Sequence, residues 1–263
     1  MFAEAAVILD EIVAYKRELH ARRQPLHEAQ LYTAMALPPP RDFKAAIAGH
    51  GQLRVIAEFK RRSPSGGAIK PDADPKLVAG GYARAGAAAM SVLTDDRFFG
   101  AVDGDLPIAR AESGLPVLRK DFLLDKRDVL ESRLAGADAA LLIVRLLDDE
   151  RLRTLIEVAR GIGLMALVEA HDDREIERAL VAGADVIGVN HRDLDTLTID
   201  LGLSARARKV AGSSVTLVAE SGIQTPAHVA QMRAHGVDAI LVGESLMRAA
   251  DPGAALRALL AGA

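Results

Sequence analysis

Ala135-Gly136-Ala137-Asp138 runs directly into the aliphatic stretch Ala139-Ala140-Leu141-Leu142-Ile143-Val144, and this arrangement returns along the chain. Its counterparts are Ala85-Gly86-Ala87, Ala182-Gly183-Ala184-Asp185 and His235-Gly236-Val237-Asp238. Each follows an Ala/Arg/Leu-rich helical stretch and precedes a β-branched or aliphatic run. A glycine just past a helix adopts the left-handed conformation at little cost, so each turn reads as a helix end leading into a strand. Working outward from these turns, strands are predicted over 54–60, 88–94, 116–121, 139–145, 165–170, 186–190, 215–221 and 239–243.

Eight βα units with no linker between them predict an α/β protein, a (β/α)8 TIM barrel, for which about 250 residues is typical. The expected organisation is one domain over 1–263, of which 1–50 is an N-terminal helical extension. Within the extension, 5–23 is helical in pattern, with Ile8, Ile12, Val13 and Tyr15 on one face. Pro38-Pro39-Pro40 then ends helical structure, and a short helix over 42–48 leads into the first strand. A doubly wound sheet is the alternative. It would carry a glycine-rich dinucleotide loop after strand one, and Glu58-Phe59-Lys60-Arg61-Arg62-Ser63 has no G-x-G-x-x-G.

Composition removes several chemistries. The 263 residues include no cysteine, which excludes disulfides, thiolate metal sites and a cysteine nucleophile. Aromatic residues are 3% with no tryptophan, a poor basis for stacking nucleic acid, and the net charge of −3 gives no field for DNA or a membrane surface. No apolar stretch approaches the roughly 18 residues of a transmembrane helix. Glu4, Asp10 and Glu11 interrupt the apolar N-terminal stretch, which does not read as a signal peptide. A cytoplasmic enzyme is expected.

In a barrel, alternate strand residues point inward and the active site lies at the strand C-termini. Period 2 sends Ile56, Glu58 and Lys60 inward from strand one, with Val55, Ala57 and Phe59 outward. Strand three sends in Leu118, Lys120 and Phe122, and strand five Met165, Leu167 and Glu169. Strand six sends in Gly188 and Asn190 with Arg192 beyond, and strand seven ends in Val218, Glu220 and Gly222. Glu58, Lys60, Lys120, Glu169, Asn190 and Glu220 therefore converge on one mouth. A structural ion-pair network could cap the barrel there, but buried charge is costly and six such residues at one mouth point to catalysis.

The loops after strands seven and eight, Glu220-Ser221-Gly222-Ile223 and Val242-Gly243-Glu244-Ser245, stand where barrels often bind phosphate. Their glycines let backbone N–H groups approach an anion. The loop Arg62-Ser63-Pro64-Ser65-Gly66-Gly67 adds a cation and a hydroxyl at the same rim. His20, His27, His50, His171, His191, His228 and His235 show no ligand spacing, so no metal is expected. His191, beside Asn190, reads as a hydrogen-bonder behind the site.

These motifs, with Leu118-Arg119-Lys120-Asp121-Phe122, Gly188-Val189-Asn190-His191-Arg192-Asp193-Leu194 and Val242-Gly243-Glu244-Ser245-Leu246-Met247, resemble the indole-3-glycerol-phosphate synthase family over essentially the whole chain. The resemblance implies conversion of 1-(2-carboxyphenylamino)-1-deoxyribulose 5-phosphate to indole-3-glycerol phosphate, CO2 and water in tryptophan biosynthesis, without a cofactor. It implies Lys120 as general acid in ring closure, and Lys60 and Glu58 as acid and base in dehydration. Glu169 becomes a second acid/base or a stabiliser of charge on the ring nitrogen. Asn190 would bond sugar hydroxyls, with Glu220 and Ser221 completing the polar wall. Arg192 would hold the substrate carboxylate, Phe99 and Phe122 the ring, and Ser63, Arg62, Gly222, Gly243 and Glu244 the phosphate.

The expected partner is this small phosphosugar substrate, with no nucleic acid and no membrane. A monomer is expected, with association to other tryptophan-pathway enzymes. The chain departs from the family pattern at His191, usually asparagine, at Gly66, often lysine, and at Arg62, commonly lysine. Phosphoribosylanthranilate isomerase is the nearest enzyme alternative, but that family's base is a cysteine. A non-catalytic barrel is disfavoured because both lysines and all three glutamates are present.

Overall fold

The computed structural model describes residues 2–24, 28–49, 51–64 and 66–261. His27, His50 and Ser65 lie outside the described residues, as does the side chain of Ile8. Eight parallel strands follow one another around a closed barrel: β1 (Arg54–Phe59), β2 (Ala89–Leu93), β3 (Val117–Lys120), β4 (Ala139–Ile143), β5 (Met165–Ala170), β6 (Val186–Asn190), β7 (Thr216–Glu220) and β8 (Ala239–Val242). Strand β8 closes on β1 through pairs running from Arg54↔Ala239 to Ala57↔Val242. Helices lie outside the barrel, as the repeated turns predict. Strand β4 loses two residues at its C-terminal end, where Val144–Leu146 form a 3-10 turn and Arg145 swings out to pair with Asp195 at 2.6 Å.

The repeated turns do two jobs. Gly86, Gly136, Gly183 and Gly236 have φ of 91°, 89°, 85° and 73°. In each, the next residue donates its N–H back to a carbonyl in the last helical turn, as Ala137 does to Ser132 at 3.0 Å, which satisfies a helix-end acceptor. Three of the turns then place an aspartate at a strand entrance opposite an arginine from the helix before the preceding strand. The pairs are Arg110–Asp138 at 2.8 Å, Arg160–Asp185 at 3.1 Å and Arg208–Asp238 at 2.6 Å. Asp138 and Asp238 also accept the N–H of Val117 and Leu217, both at 2.9 Å.

Period 2 holds. Ile56, Leu118, Leu167 and Val218 form an inner cluster with Leu141 and Leu241, closed at the strand entrances by Phe43 and Ile47 of the short helix Phe43–Ile47. Val55, Ala57 and Phe59 face the helices in the outer cluster. Burying each large aliphatic side chain contributes about 1.5–3 kcal/mol. The N-terminal helix α1 spans Phe2–Arg22. A further helix, Glu28–Ala36, and a two-stranded hairpin of Arg62–Ser63 with Gly67–Ala68 were not anticipated. The helix escapes a pattern search because Leu31, Tyr32 and Met35 are exposed.

Candidate active site

At the C-terminal ends of the strands the barrel opens into a cavity of about 320 Å3. Glu58 and Lys60 reach it from β1, Lys120 from β3, Glu169 from β5, Asn190 from β6 and Glu220 from β7. The two lysines hold different partners. Lys60 Nζ lies 2.7 Å from Glu58 Oε1. Lys120 Nζ donates to Glu169 Oε2 at 2.7 Å and to Glu220 Oε2 at 2.9 Å. Asn190 Nδ2 donates to the other oxygen of Glu169 at 3.1 Å. Glu58, Glu169 and Glu220 are all buried.

Burial opposes the charge of Lys120 more than any other single influence. Glu169, Glu220 and Glu58 together outweigh it and hold the ammonium pKa above the ordinary lysine value. The two carboxylates beside it differ. Burial pushes Glu169 up, but Lys120 and the nearby His171 prevail and keep it well below the usual carboxylate range. Among the described residues Glu220 has no second cation; burial, with repulsion from Glu169 and Glu58 against the pull of Lys120, raises it to about 7. Glu220 Oε1 is buried without a hydrogen-bond partner among the described residues. One wall thus presents a protonated amine, a fixed carboxylate and a carboxyl that titrates near neutrality, a set suited to proton transfer.

Phe99 and Phe122 both line the cavity, their centroids 6.1 Å apart and tilted by 37°. Arg192 lines the cavity, its backbone N–H bonded to Asn190 Oδ1 at 3.1 Å, and no carboxylate pairs with its guanidinium among the described residues. Ser63, Ser221, Gly222, Gly243 and Glu244 line the cavity as well. Ser221 has φ of 66°, a conformation uncommon for any residue but glycine. The buried His191 supports it. Burial lowers the His191 pKa, so the ring is neutral; its Nδ1–H donates to Ser221 O at 3.0 Å, and Ser204 Oγ lies 2.6 Å from Nε2.

Comparison with known proteins places this geometry. Residues 9–259 match the family model for indole-3-glycerol phosphate synthase. A protein from Streptomyces coelicolor named indole-3-glycerol phosphate synthase 2 is 49% identical over 255 residues, covering 96% of this chain and 98% of its own. An indole-3-glycerol phosphate synthase from Roseiflexus sp. (strain RS-1) is 47% identical over 262 residues, covering 96% and 97%. The chain belongs to the indole-3-glycerol phosphate synthase family. Solved structures extend the fold comparison: 3-hexulose-6-phosphate synthase superposes with a TM-score of 0.63 at 19% identity, covering 80% of this chain and 99% of its own. At that identity the likeness concerns the barrel alone.

Of the site residues expected for an indole-3-glycerol phosphate synthase, the structure brings all but Arg62 to the cavity. Arg62 is exposed at the start of the hairpin, where Ser63 turns inward, and its stem lies beside Gly100. Sequence reasoning passed over the N-terminal helix as a wall, although Leu9 and Ile12 line the cavity. It also passed over His171. Among the described residues one histidine–carboxylate cluster has metal-like proximity, His20 with Asp125 and Asp128, but Arg23 already pairs with Asp128 at 2.6 Å.

Proposed function

We propose that the chain is a cofactor-independent carboxy-lyase that closes the indole ring of indole-3-glycerol phosphate, with the cavity residues in the roles that follow. Family membership supports the reaction, and the observation that carries the roles is Lys120 Nζ held at 2.7 and 2.9 Å between two buried carboxylates. In ring closure, the ring carbon bearing the carboxylate attacks the ketone, and Lys120 delivers its proton to the carbonyl oxygen as that oxygen gains charge. Loss of CO2 returns the electron pair to the ring. Dehydration then needs a proton on the departing hydroxyl and removal of one from the carbon beside nitrogen; Lys60 and Glu58, paired at 2.7 Å, are suited to these.

Glu169 stabilises positive charge on the ring nitrogen or serves as a second acid/base, Asn190 bonds the sugar hydroxyls, and Glu220 with Ser221 completes the wall. Arg192 holds the substrate carboxylate. Phe99 and Phe122 flank the ring. Phosphate rests on Ser63 and the backbone of Gly222, Gly243 and Glu244, with Arg62 adding positive potential on the approach. We read 1–263 as one domain with 1–50 as its extension, acting in the cytoplasm as a monomer that associates with other enzymes of the pathway. Among the described residues, no helix is long and apolar enough to cross a membrane.

The test supplies 1-(2-carboxyphenylamino)-1-deoxyribulose 5-phosphate and follows indole fluorescence for wild type and Lys120→Ala. Absence of product from the wild type overturns the reaction. Unchanged turnover in the variant overturns the role of Lys120.

A further inference from the structure

Behind Glu169, outside the cavity lining, lies a file of buried ionisable groups that the reaction scheme does not use. His171 is one residue past the end of β5, and its side chain is 5% exposed. Its Nε2 lies 3.2 Å from Glu169 Oε1 and its Nδ1 lies 3.1 Å from Glu175 Oε2. The same Glu175 oxygen accepts the backbone N–H of His171 at 2.8 Å, so Glu175 holds both the ring and the main chain. Glu175 can do this because it sits in the first turn of the helix Asp173–Val181, capped by Asp172, four residues after the histidine.

We propose that His171, clamped by Glu175, is a positioning residue that remains an imidazolium and fixes Glu169 as an ionised, correctly oriented acceptor for Lys120. The inference rests on the functional reading above and adds a division of labour to it: Glu169 stays charged, and Glu220 carries the exchangeable proton. Two carboxylate oxygens, one at each ring nitrogen, ask for two N–H donors, which only the protonated ring supplies. Glu169 then receives Lys120 on Oε2 and both His171 and Asn190 on Oε1, whereas Glu220 Oε1 has no partner among the described residues.

The charged groups around the ring are consistent with this state. Glu169 faces it from β5 and Glu175 from the following helix. Asn190 Nδ2 approaches Nε2 from β6 at 3.3 Å and is turned to Glu169. Lys120 lies beyond Glu169, and Arg145, after β4, is within electrostatic reach of Glu175 while paired with Asp195. Burial opposes the ring's charge, but the two carboxylates prevail and raise His171 to about 9.

Two readouts on the full chain test this. In 15N-histidine-labelled wild type, the His171 ring is expected to stay doubly protonated through neutral pH and to titrate near 9, and in Glu175→Gln to titrate lower. Ring titration near the ordinary histidine value in the wild type overturns the proposal without any variant having to fold. In steady-state assays, Glu175→Gln and His171→Gln are expected to lower kcat roughly 10- to 100-fold with KM little changed, a split that a loosened fold or a lost binding contact does not produce. The alkaline limb of kcat should move to lower pH in Glu175→Gln, and its component from the imidazolium should be lost in His171→Gln. Full turnover by Glu175→Gln with an unmoved pH profile overturns the inference alone. A wild type that makes no product overturns the functional reading and the inference with it.

Discussion

Glu58 occupies the space that a side chain on Gly243 would need: a Cβ built there lies 2.3 Å from Glu58 Oε1 and 2.8 Å from Glu58 Cβ. The same pairing recurs across the barrel, where a Cβ on Gly188 would lie 2.1 Å from Glu220 Oε1. Strand β1 neighbours β8, and β6 neighbours β7, so Glu58 folds over the glycine that directly follows β8 and Glu220 over one within β6. Small residues make room for buried carboxylates that a packed barrel interior would otherwise exclude.

Substituting either glycine therefore strikes the site before it strikes the fold. Gly188→Ala is expected to push the Glu220 carboxylate off Lys120 and lower kcat roughly 10- to 100-fold. The overpacking should cost about 1–3 kcal/mol in urea unfolding. Gly243→Ala should cost more of both, because its contact reaches Glu58 Cβ, which cannot swing away. Full activity in both variants would refute this spatial coupling.

Glu220 should trade stability for function. Its carboxyl titrates near 7 in the folded chain and at the ordinary carboxylate value when unfolded. Below that ordinary value both states hold the proton and nothing is lost. Between it and about 7 the unfolded state releases the proton first, so stability falls as pH rises, and above about 7 the penalty is constant. Glu220→Gln removes the ionisation and is expected to be more stable than wild type at pH 8, by on the order of 1–3 kcal/mol, with the advantage fading toward pH 4. Turnover should fall. Urea midpoints at the two pH values decide it.

Much of this architecture is legible in the sequence, for a physical reason. The helix-ending glycines and the aliphatic runs after them are local signals, and period 2 then assigned Glu58, Lys120 and Glu169 to the interior. Arg62 and Ser63 show where locality ends, since a hairpin unforeseen in the loop decides which of the two turns in. His171, two residues past Glu169, and Glu175 stand four positions apart, at helical spacing. Their histidine–carboxylate clamp, however, becomes visible only when β5 and the next helix are brought together. The Arg–Asp pairs at the strand entrances join residues 25 to 30 positions apart, beyond what a turn motif can indicate.

Those pairs predict a stability effect far from the chemistry. Asp138 accepts from Arg110, from the N–H of Val117 at the start of β3, and from the N–H of Arg41 in the extension at 2.7 Å. Asp138→Ala leaves three donors without their acceptor and is expected to cost roughly 3–5 kcal/mol. Fully folded variant should retain near-normal kcat, because the strand entrances lie at the face opposite the cavity. Equal urea midpoints for variant and wild type would disprove the pairing's role.

Lys16 fastens the N-terminal helix to the site. Its ammonium is buried, 2.9 Å from Asp95 Oδ2 and 2.7 Å from Asp121 Oδ1, while Leu9 and Ile12 of the same helix line the cavity. Asp121 directly follows Lys120, and Asp95 caps the short helix Asp96–Phe99 that carries Phe99 to the cavity. Lys16→Met should therefore raise KM more than it lowers kcat, as the wall that Leu9 and Ile12 form loosens, and should cost roughly 3–5 kcal/mol by leaving two buried carboxylates short of a cation. Burial pushes Asp121 up, yet Arg119 and Lys16 prevail and hold it at about 2. A depressed carboxylate contributes stability above its unfolded pKa and loses it as pH falls toward the folded one. The gap between wild type and variant should accordingly be widest above pH 4 and narrow toward pH 2. A gap that stays constant across that window would mean that Lys16 holds the helix by packing rather than by charge.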